Sequence, residues 1–111
     1  MVIRSLGLVL IFFMTASLFI GGAQPQAVGL FNPPWDKLAH ATFFFIFAFV
    51  LKRLVGLPTA LAITLALLVG AADEFHQSFL PGRVAGLDDW LADAVGASLA
   101  LIRFKWLNKV D

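Results

Sequence analysis

Apolar positions along this chain fall into four long blocks, separated by short polar or turn-forming stretches. A helix needs about 20 mostly apolar residues to cross the hydrocarbon core of a bilayer, and each block is about that long. The first covers residues 5–23 and carries no charge. The second covers 34–55 and is apolar from Leu38 to Leu51 apart from His40 and Thr42. The third covers 57–79: it is bare of charge from Leu54 to Ala72 and continues to Phe79. The fourth covers 89–106 but is uncharged only from Ala94 to Ile102, so it spans only with Asp89 and Asp93 near an interface. The pattern predicts an all-α fold: an integral membrane four-helix transmembrane bundle, one domain over residues 1–111.

Turn chemistry agrees with these limits. Asn32-Pro33-Pro34 supplies a cap followed by first-turn prolines, and Pro58 suits the start of the third helix. Pro81-Gly82 interrupts the chain before Arg83, and Asp88 suits the cap of the fourth helix. Short connections make successive helices antiparallel neighbours. With four alternating spans, Arg4, Lys52, Arg53, Arg103, Lys105 and Lys109 share one side, and only Lys37 and Arg83 fall on the other. The positive-inside rule then puts both termini in the cytoplasm. Six of the seven acids gather on the outer side: Asp36, Asp73, Glu74, Asp88, Asp89 and Asp93. Trp35 and Trp90 are expected at the outer interface and Trp106 at the inner one. A cleaved signal peptide is the competing reading of the first block, with Arg4 as its positive start and Gly21 to Ala23 as small residues at a cleavage site. The apolar run exceeds a usual signal-peptide core, which favours a retained helix.

Composition narrows the class. The chain is 60% hydrophobic and 14% charged, where soluble domains carry about a quarter charged residues. Phe occurs 12 times and Tyr not at all, which suits lipid contact. A net charge of +1 without a basic run gives no field for nucleic acid. The absence of cysteine excludes disulfides and thiolate metal sites.

The polar residues within the blocks recur at helical spacing. Asp36 and His40, Asp73 and Gln77, and Asp89 and Asp93 are i,i+4 pairs, each on one helix face. Glu74 lies three before Gln77, with His76 beside the same arc. Three helices thus carry polar stripes at their outer ends. Lipid does not solvate such groups, so the stripes are expected to face one another, with Arg83 closing over them. Singly, each has a structural explanation: acids favour helix N-termini, which covers Asp36, Asp88 and Asp89, and His40 could be a satisfied packing residue. As a set they read as a functional site, because Asp93 and His40 lie about a turn inside their helices. Gly96 and Ser98 read as small residues that permit close helix approach.

Three stretches carry a resemblance. They are Asp36-Lys37-Leu38-Ala39-His40 followed by Phe43 and Phe44, then Asp73-Glu74-Phe75-His76-Gln77-Ser78-Phe79-Leu80-Pro81-Gly82-Arg83, then Asp89-Trp90-Leu91-Ala92-Asp93-Ala94-Val95-Gly96-Ala97. Together they resemble the VanZ-like family of small bacterial membrane proteins, over residues 36 to about 100. The family usually has Asn where this chain has Asp93, and often a polar residue at the position of Gly86. The resemblance implies a multi-pass protein of the bacterial cytoplasmic membrane, a cell-envelope context and a link to glycopeptide, chiefly teicoplanin, resistance. It implies no particular reaction.

The residues admit three functions. The first is an outward-facing site that binds or modifies a lipid-linked or lipophilic envelope molecule. Asp36, His40, Glu74, His76 and Gln77 are then the candidate catalytic groups, and Lys37, Arg83, Asp89 and Asp93 the candidate substrate contacts. Arg83 would grip a phosphate or carboxylate through its fork. No nucleophile pattern accompanies them: Ser78 near His76 is not a triad. The second is a metal-assisted site using His40, His76, Glu74 and Asp89, but no compact motif such as His-Glu-x-x-His is present, so no metal ligand is assigned. The third is a non-enzymatic assembly or transporter-like partner, which would need oligomers to form a path. Membrane lipids, a lipid-linked precursor or a glycopeptide are the expected partners; the sequence leaves any cofactor open.

Overall fold

The computed structural model describes residues 2–23, 35–81 and 86–110, the stretch 103–110 by its backbone alone. The regular elements among them are all helical. Helix α1, Val2–Ala16, runs on into a π-helical stretch, Ser17–Gly21. Helix α2, Trp35–Phe49, likewise continues through Val50–Leu54. Helices α3, Thr59–Gln77, and α4, Leu87–Val110, follow. The Asn32-Pro33-Pro34 cap lies outside the described residues, as do the side chains of Arg103, Lys105, Trp106 and Lys109.

Local chemistry sets the boundaries. Gly56 turns the chain between α2 and α3 at φ +85°, a conformation that favours glycine because a Cβ is crowded there. Pro58 precedes α3 with ψ 151°, and its carbonyl accepts the first helical bond, from Ala62 N–H at 2.9 Å. Helix α4 starts earlier than its acids suggest. The Gly86 carbonyl accepts from Asp89 and Trp90 N–H at 3.2 and 3.4 Å, so Asp88 lies in the first turn and is not the cap. Its carboxylate turns toward a lysine on another helix instead.

Helix α4 is central, packed against α2 most extensively and against α3 next, while α1 lies along the C-terminal stretch of α2. Phe44, Phe47, Ala48 and Leu51 of α2 meet Ala62 and Ala66 of α3 and Ala97, Ala100 and Leu101 of α4 in one buried cluster. Alanines opposite the phenylalanine rings let the backbones approach. Two glycines mark the closest crossings. A Cβ on Gly96 would collide with the carbonyl of Ala41, and one on Gly7 would stand 2.8 Å from Leu54 Cβ and 2.9 Å from Val55 Cγ2. Ser98, expected in the same role as Gly96, is exposed, because its position on α4 turns away from both neighbours. Such contacts provide van der Waals attraction that needs no water-driven burial.

The buried face of α3 reads Ala62, Ala66, Gly70, Asp73, Gln77, a single stripe at helical spacing. It is apolar for three turns and polar at its end, which delivers Asp73 and Gln77 to the site. Among the described residues, Val2–Gly21 and Thr59–Gln77 are each long and apolar enough to cross a membrane. The first leaves Leu6, Leu8, Val9, Phe12 and Phe13 exposed. The longest dimension of the molecule, 46 Å, is close to the roughly 40–45 Å of a bilayer with its headgroups.

Candidate functional site

The start of α2, the end of α3 and the start of α4 meet at one end of the molecule, and their polar residues bond mainly across helices. Lys37 is the hub. Its ammonium donates to Asp36 Oδ2 at 2.7 Å and Asp89 Oδ1 at 2.6 Å, and lies 3.2 Å from Asp88 Oδ2. An ammonium has three N–H donors, and three carboxylates surround this one. Asp88 precedes the fourth apolar segment, and Lys37 beside it holds its carboxyl below the ordinary carboxylate range.

One turn deeper, His40 Nδ1 and Asp93 Oδ1 are 2.9 Å apart, with the aspartate side chain fully buried. A carboxylate only accepts, so Nδ1–H donates and Nε2 is left as the open nitrogen of the ring. The second oxygen, Asp93 Oδ2, is buried without a hydrogen-bond partner and faces Gly70, where a Cβ would stand 2.8 Å away. Only a glycine leaves room for this carboxylate. On α3, Gln77 Nε2 donates to Asp73 Oδ2 at 3.0 Å, fixing the buried pair one turn apart. Glu74 Oε2 accepts from Gly86 N–H at 3.0 Å, tying α3 to the entrance of α4, while Glu74 Oε1 is buried without a partner.

The structure thus gathers Asp36, Lys37, His40, Asp73, Glu74, Gln77, Asp89 and Asp93 at this end. His76 lies apart: its ring packs on Phe19 of the α1 extension, with centroids 5.5 Å apart. Ser78 is exposed, and its hydroxyl donates to the Phe75 carbonyl. Arg83 lies outside the described residues. Of the four donors weighed for a metal, three come together: one ligand atom each from His40, Glu74 and Asp89, all within 4.8 Å of one another.

Two features escaped the sequence. Spacing on a single helix pairs Asp36 with His40 and Asp89 with Asp93, whereas the bonds run from Lys37 to Asp89 and from His40 to Asp93. Trp90, expected to anchor at an interface, is half-buried, and its indole N–H donates to the Leu67 carbonyl at 3.0 Å, cross-linking α4 to α3. Position in sequence does not show which helix an indole reaches.

An uncharacterised protein of the fission yeast Schizosaccharomyces pombe, C11E3.10, is 33% identical over 99 residues, covering 85% of this chain and 59% of the relative. The chain therefore spans about three-fifths of the length of the curated relative it matches. No solved structure matches. The VanZ/LLP1 family model matches residues 2–108, and the chain belongs to that family.

Proposed function

We propose that this protein is a multi-pass component of a bacterial cytoplasmic membrane whose outer polar cluster binds or modifies a lipophilic or lipid-linked cell-envelope molecule. All four helices span in this reading, with both termini cytoplasmic and the Lys37 end outside. The observation that carries it is the cross-helix set of half-buried His40 and Glu74 with buried Asp89 and Asp93, in which Glu74 Oε1 lacks a partner. Buried polar atoms are ordinarily satisfied, and leaving one unmade costs about 1–3 kcal/mol. A purely structural cluster has no need of that cost, whereas a ligand supplies the missing partner of Glu74 Oε1. Acids one turn inside their helices are also costly in lipid and are kept where they face a site.

Arg83 lies three residues before Gly86, whose N–H Glu74 holds. In this reading the guanidinium of Arg83 grips the anionic headgroup of the bound molecule through its fork. Glu74 and His40 serve as proton donor or acceptor for whatever is bound there. Single variants E74Q, Q77A and R83A test this reading by complementation of a strain lacking the native protein, scored as growth and teicoplanin tolerance. Loss of function in folded E74Q and R83A supports a chemical site. Three folded variants that all complement fully would sink it. Reporter fusions after Lys52 and near Arg83 test the topology, with the first expected inside and the second outside.

A further inference from the structure

We infer that His40, Glu74 and Asp89 form a binding site for one divalent cation of the zinc or manganese kind. The three residues come from three different helices, yet one donor atom of each lies within 4.8 Å of the others. A shift of about an ångström closes that spacing onto an ion held at roughly 2.0–2.2 Å by nitrogen and carboxylate oxygen. One imidazole with two carboxylates is a donor set for these ions, not for the all-oxygen sites of calcium.

A second observation is independent of that proximity. Asp93 is wholly buried and holds His40 by Nδ1, which turns Nε2 into the free donor of the ring. Metal-binding histidines characteristically give their other nitrogen to such a carboxylate, which fixes tautomer and orientation. Asp93 is thus a positioning residue. Glu74 is held in the same fashion: Gly86 N–H fixes Oε2, and the buried Oε1 has no partner. Lys37 takes Asp89 Oδ1, which leaves that residue its other oxygen. Charge points the same way. Asp36, Asp88 and Asp89 share the ammonium of Lys37, with Glu74 and Asp93 close by. A divalent ion offsets that excess. Three protein donors also leave coordination positions open to water or to a phosphate oxygen.

The inference deepens the reading of this cluster as a ligand site and rests on it for location. The test is made on the full-length protein in detergent, stripped with EDTA, freed of chelator and titrated calorimetrically with Zn²⁺ and, separately, Mn²⁺. One saturable site per chain is expected for at least one ion, weakened at least tenfold in E74Q and in D89N. D93A is expected to weaken it about 10–100-fold, and D93N, which keeps an acceptor for Nδ1, far less. H76N leaves it unchanged. Should these variants fail to fold, Co²⁺ added to the stripped wild-type protein still decides: a visible absorption band of nitrogen–oxygen coordination supports the site. Absence of both saturable binding and that band overturns it, as does undiminished affinity in folded E74Q and D89N. Parallel binding of polyprenyl phosphate in nanodiscs separates the two claims. Cation binding without polyprenyl phosphate binding keeps the site and removes the lipid-phosphate reading; the reverse removes the cation site alone.

Discussion

Gly96→Ala adds one methyl group where α4 crosses α2, and the structure sets its consequence. The new Cβ would overlap the Ala41 carbonyl oxygen and stand 2.7 and 2.8 Å from the Ala41 carbonyl carbon and Cα. Carbon atoms rest about 3.5–4.0 Å apart, so the two backbones must separate by about 1 Å. Neither partner is a flexible side chain that could swing away. Ala41 adjoins His40, and Gly96 lies three residues from Asp93, so the parting stretches the 2.9 Å His40–Asp93 contact past hydrogen-bonding range. Overpacking costs about 1–3 kcal/mol. Losing a buried bond to a charged group costs about 1.5–3 kcal/mol more. The helix preference of alanine over glycine returns about 1 kcal/mol. The net expectation is a destabilisation of about 1.5–5 kcal/mol. Gly21→Ala is the control, since nothing lies within 4 Å of its Cβ position, and it should change stability by no more than about 1 kcal/mol. Reversible unfolding in mild detergent with added SDS, followed by helical circular dichroism, measures both. If G96A matches wild type within about 0.5 kcal/mol, below any cost expected from overpacking, the close crossing is wrong.

Other perturbations separate the roles of the polar residues. Asp93→Asn keeps an acceptor for His40 and should cost less than about 1 kcal/mol, whereas Asp93→Ala strands a half-buried imidazole and should cost about 2–4 kcal/mol by the same unfolding assay; equal losses would argue against the bond. Trp90→Phe removes the bond to the Leu67 carbonyl and should lower stability by about 1 kcal/mol; no loss would show the indole to be unbonded. Lys37→Met leaves Asp36, Asp88 and Asp89 facing one another without their cation. The Asp88 carboxyl is held below its ordinary range by Lys37, so this stabilisation exists above the unfolded-state value and fades as pH falls through the lower folded one. Melting temperatures of K37M and wild type should therefore converge from pH 7 toward pH 3 and in high salt; a constant gap would place the role of Lys37 elsewhere.

The polar groups gathered at one end of three helices were legible in the sequence, because helical spacing fixes which residues share a face. Spacing of four made Asp73 and Gln77 neighbours, and they are bonded as that spacing allows. Family blocks were equally legible, since Pro-Gly-Arg after a carboxylate and Gln is a linear pattern. Spacing carries no information between helices. The rotation of α2 against α4 determined that His40 meets Asp93 and Lys37 meets Asp89, and that rotation is set where Gly96 rides on Ala41 and phenylalanines meet alanines. The same packing leaves Ser98 facing outward on α4, while the approach of α3 to the α1 extension seats His76 on Phe19. From the sequence alone come four apolar blocks, an all-helical chain and a chemistry of carboxylates, histidines and one lysine at one end. Which donors converge was decided only by the tertiary structure, because side-chain positions there follow from how closely three backbones approach, and no single helix encodes that distance.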